Sequence, residues 1–278
     1  MAITNFIPTI WSENLYEQLD KHYIAAANCN RDYEGEIKSK GSVVKICGVG
    51  AVNISDYTKN TDMSDAQTLS DTVKELAINR AKYFNFQIDD IDRAQCSPKL
   101  MTSAMKIAAN ALANEADKYI FSLHTEAGKK IRVNNEDART NILEYFINAI
   151  TELRNNGVSD MNEVVIEISP DVASLILKAK INLAIDSGET LDSGCIGKLM
   201  GCKVFVSNNV TLEDYGDNYN YFCLVRTKRA IAFAEQLSEI EAYRPEKRFS
   251  DAVKGLHLYG AKIIFPKEII TLEVNFLK

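Results

Sequence analysis

The chain is short of the residues from which most catalytic sites are built. It has 3 histidines in 278 residues, His22, His124 and His257, and they fall in three separate elements. No nucleophile turn of the GxSxG kind accompanies them, so nothing points to a hydrolytic triad. The 6 cysteines (Cys29, Cys47, Cys96, Cys195, Cys202 and Cys223) contain no CxxC pair. No metal-ligand spacing or cofactor motif emerges, and such a set implies free thiols. No apolar run is long enough to cross a bilayer, and Glu13, Glu17, Asp20 and Lys21 interrupt the stretch that a secretory signal would keep apolar. A product of the cytoplasm, or something assembled there, is expected. The net charge of −6 argues against holding nucleic acid through a general basic surface, because that binding depends on neutralising phosphates. Enclosing nucleic acid stays compatible with it.

Two glycine clusters imitate nucleotide motifs and fail. Gly194-Cys195-Ile196-Gly197-Lys198-Leu199 has Asp192 where a phosphate loop begins with glycine, and Leu199 where a hydroxyl would hold magnesium. Gly48-Val49-Gly50 has Asn53 in place of the third dinucleotide-binding glycine, and a strand pattern follows it instead of a helix. An enzyme therefore has little support.

What is present is a set of extended parts. A 46% hydrophobic composition supports a sizeable core in one large or two ordinary domains. Ser97-Pro98 reads as N-cap and first helical residue, and Gly128 as the stop. Between them Met101, Ala104, Met105, Ala108, Ala111, Leu112, Glu115, Ala116, Tyr119, Ile120 and Leu123 recur at helical steps, mostly apolar. At about 1.5 Å per residue this rod spans roughly 45 Å, and its alanine-rich face suits lying on a sheet better than a leucine seam. Before it, Val43 to Ile54 and Thr72 to Ile88 read as two long strands joined by a polar tip, Lys59 to Ser70. Arms of that length would reach roughly 55 Å. An isolated two-stranded ribbon is marginal in water, so this one is expected to lie on another copy of the chain.

The N-terminal segment carries Trp11 beside Ile7 and Ile10, an apolar group in need of a surface, on its own domain or a neighbour's. After the rod come a helix over Asp137 to Asn155 and a buried strand over Val164 to Ile168. Ser169-Pro170 opens another helix, Asp186 to Gly201 is a glycine-rich loop, and Glu213 to Asn220 is an acidic turn. The C-terminal part is strand-rich, ending on the alternation of Ile270, Leu272, Val274 and Phe276. Within it Glu239, Glu241, Arg244, Glu246, Lys247, Arg248 and Asp251 mix both signs, as a solvated face or an intersubunit network would. Mixed α+β class fits the whole.

The order of these parts resembles the major capsid protein of tailed bacteriophages, the fold named after phage Hong Kong 97. Ile196 to Val210, with its glycine, strand and Ser207-Asn208-Asn209 turn, is similar to one family segment, and Phe249 to Pro266 to another. The resemblance implies an N-terminal arm (1–35), an extended loop formed by the long hairpin (36–90), and a peripheral domain with the spine helix (91–135). It implies an axial domain (136–234) and returning peripheral strands (235–278). It further implies a homo-oligomeric virion subunit, assembled in the bacterial cytoplasm into hexamers and pentamers of an icosahedral shell around double-stranded DNA, with no cofactor and no membrane partner. Because the hairpin begins near Glu36, a separate scaffolding protein and a portal are the expected helpers. Trp11, Lys59, Glu75, Arg80, Glu241, Arg244 and Arg248 are the candidate assembly contacts. The alternatives are an encapsulin-like compartment around enzyme cargo and a soluble enzyme with an unrecognised site.

Deleting Asn60 to Ser70 is expected to block or alter assembly, while the circular dichroism of the monomer stays nearly unchanged. Normal shells from that deletion would show that the tip is not an assembly contact.

Overall fold

The computed structural model describes residues 15, 18–19, 22–34, 42–49, 54, 56, 59, 62, 71–90, 100–178 and 195–277. Trp11 and most of the hairpin tip lie outside them. Three helices and twelve strands are built from the described residues: β1 (Val43–Val49), β2 (Asp71–Ala77), β3 (Arg80–Asp89), α1 (Leu100–Ser122), β4 (Lys129–Val133), α2 (Asn135–Asn155), β5 (Val164–Ile168) and α3 (Pro170–Lys178), followed by β6 (Cys195–Leu199), β7 (Cys202–Val206), β8 (Leu212–Asp214), β9 (Asn218–Thr227), β10 (Ile231–Tyr243), β11 (Ser250–Ile263) and β12 (Ile269–Leu277).

The larger sheet has seven strands in the order β4-β12-β9-β5-β7-β6, with β8 also paired to β9. The pairs β12/β4 and β5/β7 are parallel and the others antiparallel. β5 is buried along its whole length, which accounts for its nearly continuous apolar sequence. On α2, Ala138, Ile142, Phe146, Ala149, Ile150 and Leu153 are buried at three- and four-residue spacing, forming the stripe that packs on the sheet. Ser169 opens α3 as the sequence implies, its Oγ accepting the Val172 N–H at 3.3 Å. The returning strands expected over 235–278 include β12. In the sheet β12 lies between β9 and β4, with Leu272 opposite both Cys223 and Ile131. The described part of the expected glycine loop forms β6 and the β6/β7 turn, which runs through Met200 (φ 52) and Gly201 (φ 88).

The smaller sheet runs β10-β11-β3. One face meets α1 and the main core through Phe84, Phe86, Val253 and Tyr259. Gly255 lies opposite Phe84, whose ring occupies the space a Cβ would need, 2.5 Å from its ideal position.

The opposite face carries a correction to the ribbon. The stretch Thr72 to Ile88 is not one arm of a long hairpin, because the chain leaves the ribbon at Ile78 and Asn79. β2 pairs with β1, from Val43 opposite Ala77 to Val49 opposite Asp71, whereas β3 pairs with β11. The paired ribbon therefore covers seven residues per strand among the described residues, about 23 Å. Its base rests on its own chain as well: Val44, Ile46, Leu76 and Ile78 form a second core with Ala232, Ala234, Leu258 and Ile264. The Lys74 ammonium donates to the Ile264 carbonyl.

The rod also ends earlier than expected. α1 has 23 residues and passes into a 3-10 turn, Leu123–Glu126, giving a straight part of about 35 Å. Its buried stripe is Ala109, Leu112, Ala113, Ala116, Ile120 and Phe121. Ala111, placed inward by the sequence pattern, is exposed. Gly128 serves close approach and not a left-handed cap: its N–H donates to the Pro266 carbonyl at 2.9 Å, and a Cβ would stand 2.2 Å from that oxygen.

A Cβ at Gly260 would lie 2.4 Å from the Ala77 carbonyl oxygen and 3.1 Å from Ile78. Gly260→Ala is expected to lift the ribbon base and cost about 1 to 3 kcal/mol, seen as a lower urea midpoint.

Candidate assembly surfaces

The segment 22–34, read from sequence as part of a reaching arm, is fixed to its own chain by buried polar groups. From α1, the Asp117 carboxylate accepts the N–H groups of Ile24, Ala25 and Ala26 at 3.0, 3.1 and 3.0 Å. From β9, the Arg226 guanidinium donates to the Asn28 carbonyl at 2.7 Å and the Ala25 carbonyl at 3.1 Å. Its other donors form a fork on Glu167 of β5, at 3.0 and 2.8 Å, and both side chains are 0% exposed. From β10, Glu235 takes the Tyr23 hydroxyl, Arg31 at 2.6 Å and His257 Nε2 at 2.7 Å. Asn30 exchanges backbone hydrogen bonds with β10, donating to Ile231 at 2.9 Å and accepting from Phe233 at 2.8 Å. Thus 22–34 acts as a wedge joining α1 and both sheets.

Burial raises Asp117 to about 7, with the Glu167 charge adding to the rise and three backbone donors opposing it. Burial also pushes the thiols of Cys29, Cys202 and Cys223 up, to about 12, 11 and 12, so none of the three is a ready nucleophile. Among the described residues no group of three or more His, Cys, Asp or Glu could hold a metal ion, and no helix is long and apolar enough to cross a membrane.

The candidate contacts do not form one cluster. Lys59 is exposed near the hairpin tip. Glu75 is exposed on β2, directly across from Lys45 of β1. The Arg80 guanidinium lies 4.7 Å from the centre of the Tyr119 ring, against its own α1. Glu241 pairs with Lys254 at 2.6 Å, and Arg244 pairs with Asp90. Arg248 is exposed in the β10/β11 turn, beside Phe249, which is 83% exposed. Two members of the mixed-charge run are thus occupied within the chain. The turn and the ribbon's outer side face solvent.

No protein-family model and no curated protein matches this chain. Solved structures do match. One titled for Mycobacterium phage Che8 has 30% sequence identity over 90% of each chain, with a TM-score of 0.67. A capsid structure of the cyanophage P-SCSP1u shares 16% identity over 93% of this chain and 87% of that one, TM-score 0.65. A virus-like particle from Pyrococcus furiosus shares 13% over 98% of this chain and 100% of that one, TM-score 0.60. Two sheets braced by one long helix, matched almost end to end, define a capsid-type structural subunit. The chain belongs to the major capsid proteins of tailed bacteriophages.

Removing Glu167 leaves a guanidinium buried without its counter-charge, so Glu167→Ala is expected to cost about 3 to 5 kcal/mol by urea unfolding. Replacing both partners with apolar residues of similar volume should cost far less. Asp117 gives a pH signature. Its pKa rises from 3.8 in the reference state to about 7 in the fold, so its contribution to stability is fully present below the lower value and declines as pH climbs to the upper one. The stability of the native chain relative to Asp117→Asn should therefore fall between about pH 4 and pH 7; a difference independent of pH would contradict the assignment.

Proposed function

We propose that this protein is the major shell subunit of a tailed phage or prophage particle, assembling into hexamers and pentamers of an icosahedral capsid around double-stranded DNA. The observation that carries the reading is the 30% identity with the Mycobacterium phage Che8 structure over nine-tenths of both chains. In this reading α1 is the spine helix of a peripheral domain, residues 136–234 make the axial domain, and 36–90 is the extended loop that touches a neighbour. Trp11, Lys59, Glu75, Arg80, Glu241, Arg244 and Arg248 are the proposed contact residues, with Arg80 also committed to Tyr119.

The working principle is mechanical. A surface that meets a different surface on the next copy closes into rings, and many modest contacts per subunit add into a shell far more stable than any one of them. An acidic chain suits an inner wall along which DNA slides without adhering. A separate scaffolding protein and a portal complete the proposed set of partners, and the site of assembly is the host cytoplasm.

The Pyrococcus furiosus virus-like particle supports a second reading, a protein compartment around enzyme cargo. Size-exclusion chromatography and negative-stain microscopy of the purified chain test the shell. Closed particles with a DNA-rich absorbance ratio after phage induction support the first reading, particles holding protein cargo support the second, and a stable monomer under all conditions removes both.

A further inference from the structure

The end of α2 holds the only Asn-Gly pair in the sequence, Asn156-Gly157, and both residues are exposed. Asn156 is the C-cap, Gly157 follows it at φ 94, and the Val158 N–H reaches back to the Leu153 carbonyl at 3.1 Å, as in a Schellman ending. Such a pair carries its own chemistry. Glycine has no side chain to shield the backbone nitrogen that follows the asparagine. That nitrogen can attack the side-chain amide carbon, forming a cyclic imide and expelling ammonia. Water then opens the ring at one carbonyl or the other, leaving aspartate, or isoaspartate with the main chain rerouted through the side-chain carbon.

The fold holds both reactants away from this step. The Gly157 N–H donates to the Arg154 carbonyl at 3.0 Å, and the Asn156 Nδ2 donates to the Lys267 carbonyl at 2.8 Å. Neither is free until the last turn of α2 opens. Space is not the obstacle, because no atom lies within 4 Å of the position a Cβ would take on Gly157. The acceptor sits at a junction. Lys267 belongs to the 3-10 turn Pro266–Glu268 that leads into β12, and the adjacent Pro266 carbonyl takes the Gly128 N–H at 2.9 Å just before β4. Lys129 of β4 pairs with Glu152 of α2 at 2.8 Å. The Asn156 amide therefore pins the end of α2 to the place where β4 and β12 begin.

We propose that Asn156-Gly157 is a gated self-modification site: each opening of the last turn of α2 exposes the amide to the Gly157 nitrogen, and each completed reaction keeps the turn from closing again on the Lys267 carbonyl. A carboxylate at this position has no proton to donate to that carbonyl, and it stands at the negative end of the helix. Isoaspartate also adds a carbon to the main chain within the turn. The ammonia is lost to solvent, so the asparagine does not return, and conversion records the time a subunit has spent with this junction open.

Two measurements test it. The purified full-length chain is held at mildly alkaline pH, either folded or in urea, and Asn156 is followed by peptide mapping with mass spectrometry. In urea Asn156 should convert ahead of every other asparagine, and in the fold it should convert at least about tenfold more slowly, because reaction waits on local opening. Equal rates overturn the gate, and no conversion in urea overturns the site. Asn156→Asp, which mimics one product, should speed hydrogen exchange at the amides of residues 156–158 about three- to tenfold through loss of one hydrogen bond, leaving exchange in β3 and β11 unchanged. Native exchange rates in that variant overturn the one-way release.

Discussion

A guanidinium with no access to water has to find every partner inside the protein, and Arg226 is in that position. It spends one side on the Glu167 carboxylate and the other on two carbonyls of the segment 22–34. An unpaired buried charge would cost far more than the pair gains, so wherever Arg226 is buried this segment must be in place over it. Asp117 imposes the converse demand from α1, because its carboxylate needs the N–H groups that the same segment supplies. The two side chains hold one short stretch by its donors and its acceptors. Since Arg226 belongs to the large sheet and Asp117 to the long helix, the stretch fixes the helix relative to the sheet. Glu235, gripping Tyr23 and Arg31, ties in the second sheet.

This arrangement separates the rigid part of the subunit from the part free to make contacts. Rigidity comes from satisfied polar groups in the interior, where the low dielectric makes them strong and their loss expensive. The outward surfaces carry ordinary exposed charges, each worth a fraction of a kcal/mol. A shell needs both kinds. A body that does not deform lets weak contacts repeat with one geometry, and weak contacts let a misplaced copy leave again.

Much of the fold could be read from periodicity. The body of α1, the buried run of β5, the Ser169 cap and the alternation of β12 all follow local rules that tertiary context reinforced. Where two elements compete, local rules gave way. Between Thr72 and Ile88 the change of partner at Ile78 leaves only a short break, Arg80 and Lys82, in an alternation whose two apolar parts, Leu76 with Ile78 and Phe84 with Phe86, serve different cores. The β6/β7 hairpin hid behind its glycines and a register shift between Cys195 and Gly197. Of the candidate contacts, Glu241 and Arg244 were legible as charged and exposed, but their partners, Lys254 in β11 and Asp90 just past the end of β3, depend on register. The buried network does leave one signal in the sequence: Glu167 in Val-Val-Ile-Glu-Ile and Arg226 after Phe-Cys-Leu-Val are each a lone charge within an apolar run. Opposite charges so placed belong together.

The position of β12 bears on how such a subunit is made. It is the last strand to leave the ribosome among those described, yet it lies inside the large sheet with β9 on one side and β4 on the other. Until it arrives, β4 has no strand to join and the apolar side of α2 has only part of its floor. A growing chain therefore cannot settle into its final shape early, and one cut before β12 lacks the strand that joins β4 to the rest of the sheet. The order of synthesis thus delays closure of the large sheet until β12 has been made.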